Sequence, residues 1–144
     1  MFLGNYQHTL DPKGRVILPA TYRSDFTEGL VLTIGIDECV TVHPLESWRT
    51  VVDNLKSLRA TSSRERHFRL MMAGQAHAEE LDGQGRVTIP QRLRAYGHLD
   101  REVTVVGNID HVQLWDRHRW DEYQATGMEA FSQTDTPFDV GGIF

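Results

Sequence analysis

Two separate parts of the chain show the pattern of apolar and polar residues that is typical of β-strands. Each part begins with an extended segment, continues through an apolar run that ends at a proline, and then has two further apolar runs separated by turn-forming residues. This order predicts a strand, a turn, a second strand and a hairpin in each part. The predicted strands are residues 2–10, 16–18, 30–36 and 39–42, and then 76–81, 87–89, 103–106 and 112–115.

A spacing of three or four residues predicts helices between and after these strands. The clearest apolar stripe follows Pro44, which suits the first turn of a helix. Ser63 is predicted to cap a second helix that ends at Gly74, and Asp116 to cap a third. Residues 127–144 are expected to form a poorly ordered tail. The stripe consists of Leu45, Trp48, Val51, Val52, Leu55 and Leu58.

One segment occurs twice in the sequence. Residues 11–19 are D-P-K-G-R-V-I-L-P, and residues 82–90, 71 positions later, are D-G-Q-G-R-V-T-I-P. Similarity at a long fixed offset indicates two copies of one structural unit. Both copies keep an acidic residue, a tight turn, an arginine, an apolar run and a proline.

The repeat predicts the domain boundaries. We expect one unit at residues 5–47, a helical connector at 48–75, a second unit at 76–119, and a C-terminal helix with a flexible tail at 120–144. Neither half of the 144 residues is long enough to bury a large core by itself. The halves are therefore expected to share one core, or to interlock as a homodimer of the unit would. The predicted class is α+β, mainly β, with short helices.

Composition narrows the possible functions. No run approaches the roughly 18 apolar residues of a membrane span, and the first residues are not expected to form a signal peptide. Cys39 is the only cysteine, so no intrachain disulfide can form and a cytoplasmic setting is favoured. Cys39 and His43 stand four positions apart without a metal-ligand pattern. Motifs for catalysis are lacking, so we predict neither an enzyme, a metal, a cofactor nor a small-molecule substrate.

The net charge of −5 argues against a nucleic-acid partner until its distribution is considered. Residues 1–109 carry equal numbers of acidic and basic residues, so the acidic excess lies in the last 35 residues. Residues 56–69 are locally basic, with four arginines and one lysine against Glu65. This basic stretch predicts a solvated face, an interface between subunits or a patch for DNA.

Arg15 and Arg86 are the candidate functional residues. An aspartate four positions earlier in each copy, Asp11 or Asp82, can serve the turn alone, or it can orient the guanidinium for binding. The planar guanidinium pairs with two acceptors at once, as on a guanine edge or a phosphate. The turn positions between each pair are occupied by Lys13 and Gly14 in the first copy and by Gln84 and Gly85 in the second.

The duplicated Asp-x-x-x-Arg motif resembles the MraZ family of bacterial proteins, which consist of two SpoVT-AbrB-type units. The segments Met1-Phe2-x-Gly4 and Val106-Gly107-Asn108 are also similar to that family. The resemblance implies a swapped-hairpin β-barrel in each half and a ring-shaped homo-oligomer. It further implies a cytoplasmic, nucleoid-associated regulator of transcription that binds short repeats in double-stranded promoter DNA, here of a cell-division and cell-wall operon.

In that case Arg15 and Arg86 would contact DNA. Lys13 would add a phosphate contact and Gln84 only a hydrogen bond. One alternative is a protein-interaction module of the antitoxin type, which would bind a partner through the phenylalanines of its tail. A small metal-dependent enzyme is a second alternative. The residues expected to shape the two turns around the contacts are Asp11, Gly14, Asp82 and Gly85.

Overall fold

A computed structural model describes residues 1–134 of the chain. The strands are β1 (Asn5–Thr9), β2 (Arg15–Ile17), β3 (Leu30–Ile34), β4 (Val40–Pro44), β5 (His77–Glu79), β6 (Arg86–Thr88), β7 (Glu102–Asn108) and β8 (His111–Asp116). The helices are a 3-10 helix (Ala20–Phe26), α1 (Leu45–Lys56), α2 (Ser63–Gly74), α3 (Gln91–Tyr96) and α4 (Arg117–Ser132). The predicted α+β class, mainly of antiparallel strands with short helices, is confirmed. None of the helices within residues 1–134 is long and apolar enough to span a membrane.

The helix ends differ in detail from the prediction. The cap of α2 is Ser62 rather than Ser63, because the Ser62 hydroxyl accepts a hydrogen bond from the Glu65 amide at 3.2 Å. Asp116 caps α4 as predicted, accepting from the Arg119 amide at 3.0 Å. The two short helices that follow Pro19 and Pro90 were not predicted, since six or seven residues are too few to show a helical periodicity.

The prediction of a tail from residue 127 is wrong for its first part. Helix α4 continues through Gly127 to Ser132, because a single glycine costs a helix only about 1 kcal/mol and does not end it. Residues 135–144, which include Pro137, Phe138 and Phe144, lie outside the described residues.

Both sheets combine strands from the two halves of the chain. The larger sheet has six strands in the order β1-β7-β8-β4-β3-β5, and β2 pairs with β6 in a second, two-stranded sheet. The pairing of β1 with β7 corresponds in the repeat to that of β5 with β3. The first strand of each half therefore hydrogen-bonds to the third strand of the other half.

The expected swapped-hairpin barrel in each half is not confirmed. No closed barrel forms among the described strands, and β1 and β5 are the two ends of an open sheet. A single hydrophobic core takes residues from both halves, which confirms the expected shared core.

Repeat-equivalent side chains meet in this core. Val16 and Val87 are fully buried, and so are Leu18 and Ile89, one residue before each proline. Trp115 is buried on β8 and holds α4, with its ring centroid 5.4 Å from that of Trp120. The apolar runs of the two copies thus form the base under the two-stranded sheet.

Candidate functional site

The first Asp-x-x-x-Arg segment forms a turn that is closed by its aspartate. Oδ1 of Asp11 accepts hydrogen bonds from the amides of Lys13 and Arg15, both at 2.9 Å. Oδ2 of Asp11 accepts from Nε of Arg15 at 2.7 Å. In the backbone, the Gly14 amide donates to the Asp11 carbonyl at 3.0 Å, and the Asp11 amide to the Arg15 carbonyl at 2.8 Å. One carboxylate therefore shapes the turn and orients the arginine.

The second segment repeats this geometry almost without change. Asp82 accepts from the amides of Gln84 and Arg86 at 2.9 Å and from Nε of Arg86 at 2.7 Å. The Gly85 amide donates to the Asp82 carbonyl at 3.0 Å. The two turns are copies in three dimensions as well as in sequence.

The glycine before each arginine has a backbone conformation that other residues rarely adopt. The φ angles of Gly14 and Gly85 are +76° and +77°. A side chain costs roughly 1–2 kcal/mol in this left-handed region. Glycine is therefore the residue that lets the chain turn directly before the arginine enters its strand.

Both motif aspartates stay ionised over the ordinary pH range. The hydrogen bond from the Arg86 amide is the main cause that lowers the pKa of Asp82 to about 2, and the Arg86 guanidinium acts in the same direction. The pKa of Asp11 is lowered as well, first by the amide of Arg15. Each carboxylate is thus a permanent acceptor for its arginine.

The fold brings the two motifs together on one exposed face. In the antiparallel β2–β6 pair, Arg15 lies opposite Thr88 and Ile17 lies opposite Arg86. Val16, which lies between Arg15 and Ile17 in β2, points into the core, so these four residues share the outward face. Arg15 and Arg86 occupy diagonal positions, which are about 7–8 Å apart in an antiparallel pair. Their side chains are 26% and 28% exposed.

The turns lie at opposite ends of this pair and touch the other half of the chain. The Leu18 amide donates to the Gly85 carbonyl at 3.0 Å, and the Ile89 amide to the Gly14 carbonyl at 2.9 Å. Lys13 and Gln84 are exposed at the tips of the two turns, in equivalent positions. The structure thus places all four predicted contact residues around one small surface, which we call the twin-turn surface (residues 11–17 and 82–88).

Two further arginines border the twin-turn surface and were not among the predicted site residues. Arg94 of α3 lies against Gly14, and Arg23 of the 3-10 helix lies against Gly85. Arg23 also donates from Nε to the Leu18 carbonyl at 3.0 Å, whereas Nε of Arg94 is buried and has no hydrogen-bond partner among the described residues. The available signal was their own repeat, since each follows its motif arginine by eight positions.

These arginines make the surface locally positive. The surface carries Lys13, Arg15 and Arg86 with the carboxylates of Asp11 and Asp82, and Arg23 and Arg94 add positive charge at its border. A chain with an overall charge of −5 therefore has a cationic face at the one place where its repeated motifs meet.

Cys39 and His43, the other side chains with chemical reactivity that the sequence analysis considered, are both buried. Cys39 is fully buried and donates from its thiol to the Ile36 carbonyl at 3.3 Å, and burial raises its pKa to about 12. His43 is buried in a stack with His111, at 4.9 Å between ring centroids. Within residues 1–134 no group of three or more His, Cys, Asp or Glu side chains could hold a metal ion.

Comparison with protein-family models gives a match over nearly the whole chain. The model described as "MraZ protein, putative antitoxin-like" matches residues 1–70 and again residues 72–140. The two matched segments each contain one Asp-x-x-x-Arg turn, which agrees with the duplication in the sequence and in the fold. The chain belongs to the MraZ family.

Proposed function

We propose that the protein is a non-enzymatic regulator of transcription that binds double-stranded DNA through the twin-turn surface. The observation that carries this proposal is the pair of preorganised arginines, Arg15 and Arg86, on one exposed face of β2 and β6. Family membership supports a regulator-type role. We further propose that its target is its own cell-division and cell-wall operon, on the chromosome in the cytoplasm.

The geometry suits recognition by arginine. Of the guanidinium nitrogens, Asp11 and Asp82 bind Nε, and neither Nη group donates a hydrogen bond within residues 1–134, which leaves both for a ligand. Two such nitrogens match a guanine edge or a phosphate. The guanidinium needs little reorganisation on binding, because the carboxylate and the turn already hold it.

The dimensions also suit DNA. A two-stranded antiparallel ribbon fits the major groove of B-DNA. The roughly 7–8 Å between diagonal positions corresponds to about two base steps of about 3.4 Å along one strand. The two arginines of one chain are thus expected to contact neighbouring positions of a short site.

A single chain should bind DNA weakly, because its net charge of −5 gives little long-range attraction to phosphate. We therefore propose that a homo-oligomer, in the form of a ring, presents several twin-turn surfaces to closely spaced repeats. Linked sites raise the effective concentration, so avidity can exceed the affinity of one site by roughly 10² or more.

The experiment has two stages. Sequencing the DNA that is retained by the purified protein identifies the motif, and titration of probes with one, two and three copies at varied spacing measures the avidity. We expect binding to tighten with copy number and to depend on spacing near the helical turn of about 10 bp. Equal affinity for all probes would contradict multivalent binding, and no enrichment of any sequence would contradict specific recognition.

The antitoxin-type alternative makes a different prediction. It needs a partner protein that binds the tail, of which Phe138 and Phe144 lie outside the described residues. A second protein that co-purifies in a fixed ratio, with no enriched DNA, would favour this alternative over DNA binding.

A further inference from the structure

Helix α4 extends beyond the part of the molecule that supports it. Its first turns are anchored by Trp120 and Tyr123, whose rings pack on Trp115 at 5.4 and 4.7 Å. After Tyr123 every described residue of the helix is exposed, including Met128 at 66%. One face of α4 contains positions 120, 124, 127, 128 and 131, which follow a helical spacing. This face packs on the sheet at the start of the helix and continues beyond the edge of the sheet.

This protruding half of α4 is acidic as well as partly apolar. Residues 121–132 contain Asp121, Glu122 and Glu129 and no lysine or arginine. Within the described part of the chain, Glu122 pairs only with His118, at 3.2 Å, and Asp121 and Glu129 form no ion pair. We call residues 121–132 the α4 extension.

The connector between the two halves has the opposite character. Helix α2 buries none of its residues, and Leu70 is 64% exposed. A groove of about 340 Å³ runs between α2 and residues 58–60, which follow α1. We call it the connector groove. It is lined by Leu58, Arg59, Ala60, Glu65, Arg66, Arg69, Leu70 and Ala73.

The connector groove is apolar along its floor and basic at its rim. Positions 66, 69, 70 and 73 form one stripe of α2, which no element within residues 1–134 covers. Glu65 pairs with Arg59 at 3.0 Å, and a guanidinium nitrogen of Arg66 donates to the Ala60 carbonyl at 2.7 Å. Arg69 forms no ion pair among the described residues, so the rim has an excess of positive charge.

We propose that the α4 extension of one copy of this chain docks in the connector groove of the next copy. The apolar stripe of α4, around Met128, covers Leu70, and the acidic side chains meet Arg66 and Arg69. Helix-in-groove contact of this kind combines apolar burial with charge complementarity. This inference rests on the homo-oligomer in the proposed function and names the surfaces that build it.

The two surfaces are different patches of the chain, so the contact is head-to-tail. A head-to-tail contact forms a closed ring when the rotation between neighbours closes, and a filament when it does not. Each chain contributes one groove and one helix, and therefore every copy in a ring makes the same two contacts.

The test is the mass in solution without DNA, measured by light scattering at micromolar concentration. The wild type is expected to have a mass several times 16.5 kDa. The charge-reversed pair Arg66→Glu with Arg69→Glu, and separately Asp121→Lys with Glu129→Lys, should each reduce the mass toward that of one chain. All four substitutions in one chain should restore the large mass, because the charges are then complementary again.

Controls separate this contact from a general loss of structure or charge. Arg92→Glu with Arg101→Glu reverses two exposed arginines outside the connector groove and should leave the mass unchanged. Leu70→Gln alters the floor of the groove at an exposed position and should also reduce the mass. Circular dichroism of each variant should match that of the wild type.

Several results would overturn the proposal. The first is an unchanged mass in both charge-reversed variants, and the second is no recovery of the mass in the fourfold variant. The third is loss of the large mass when the chain is truncated after residue 134, because this would assign the contact to the last ten residues. A monomeric wild type would overturn both this interface and the ring in the proposed function. An oligomer that keeps its mass in every variant would overturn the interface alone, and DNA binding is measured separately.

Discussion

The guanidinium of Arg94 lies directly against Gly14, across the boundary between the two halves of the chain. A β-carbon built on Gly14 would lie 2.7 Å from Cζ of Arg94. The repeat-equivalent pair, Arg23 and Gly85, has the same relationship with the halves exchanged. Each candidate DNA-binding turn is therefore supported by a helix from the other half, and the two turns form one unit.

This relationship predicts a strong effect of a single methyl group. Gly14→Ala and Gly85→Ala should each lower the free energy of unfolding by at least the roughly 1–2 kcal/mol of the left-handed conformation, since the methyl group also displaces an arginine. Urea unfolding measures the change. Gly83→Ala in the same turn is the matched control: nothing lies within 4 Å of its β-carbon, and its effect should stay within about 0.5 kcal/mol. Equal effects at Gly83 and Gly85 would contradict the argument.

The two motif arginines should be needed for binding and not for folding. Arg15→Ala and Arg86→Ala should each weaken binding to the cognate site, with a loss of about 1–3 kcal/mol in discrimination if the contact is to a base. If the contact is to a phosphate, the slope of log affinity against log salt should fall by about one. Fluorescence anisotropy titration at several salt concentrations distinguishes the two. Arg101→Ala is the control, and an unchanged affinity in the Arg15/Arg86 double variant would refute the assignment.

The motif aspartates should act through their arginines. Asp82→Asn keeps one oxygen that can accept from the turn amides, but its amide nitrogen cannot accept from Nε of Arg86. We therefore expect DNA affinity to fall by less than in Arg86→Ala, while the thermal midpoint changes little. Asp82→Ala should lower both, because the turn amides then lose their acceptor. An affinity equal to the wild type in Asp82→Asn would show that the carboxylate serves the turn alone.

The two turns should contribute unequally to salt dependence. Lys13 is exposed at the tip of the first turn, where the second turn has Gln84. Lys13→Gln should lower the salt slope by about one for each copy that contacts DNA, and Gln84→Lys should raise it by the same amount. The same anisotropy titration measures both, and opposite shifts are required. Equal slopes in both variants and the wild type would show that neither tip approaches a phosphate.

Stability should fall at mildly acidic pH because of His43. Its burial, with a smaller effect of His111, lowers its pKa from 6.5 to about 4. Between these values the unfolded chain binds a proton that the folded chain does not, so the free energy of unfolding decreases as the pH falls from about 6.5 to about 4. This difference in pKa between the unfolded and folded chain corresponds to a loss of up to about 3 kcal/mol in the free energy of unfolding. Urea unfolding at pH 7 and pH 5 measures the slope.

A variant without this titration isolates the effect. His43→Gln should lose most of the difference between pH 7 and pH 5, whereas His67→Gln, on an exposed part of α2, should keep it. If both variants keep the wild-type slope, His43 is not the group responsible.

The sequence predicted much of the local structure because its signals are local. The turn at Asp11 and its copy at Asp82 follow from turn-forming residues at fixed spacing, and the cap at Asp116 follows from a short polar side chain before a helix. The predicted end of α4 was wrong, since Gly127 weakens the helix without ending it. The helix around Arg94 was missed because six residues give no periodicity.

By itself, the sequence determined that the chain holds two copies of one unit, each with an aspartate four positions before an arginine. Only the tertiary structure decided how the copies combine. Pairing of β1 with β7 and of β5 with β3 interleaves the halves, and pairing of β2 with β6 puts Arg15 and Arg86 on one face. The physical reason is that a strand's hydrogen-bonding groups are the same whichever strand they pair with. Partner choice therefore depends on which arrangement buries both sets of apolar residues in one core, and residue spacing along the chain does not encode that choice.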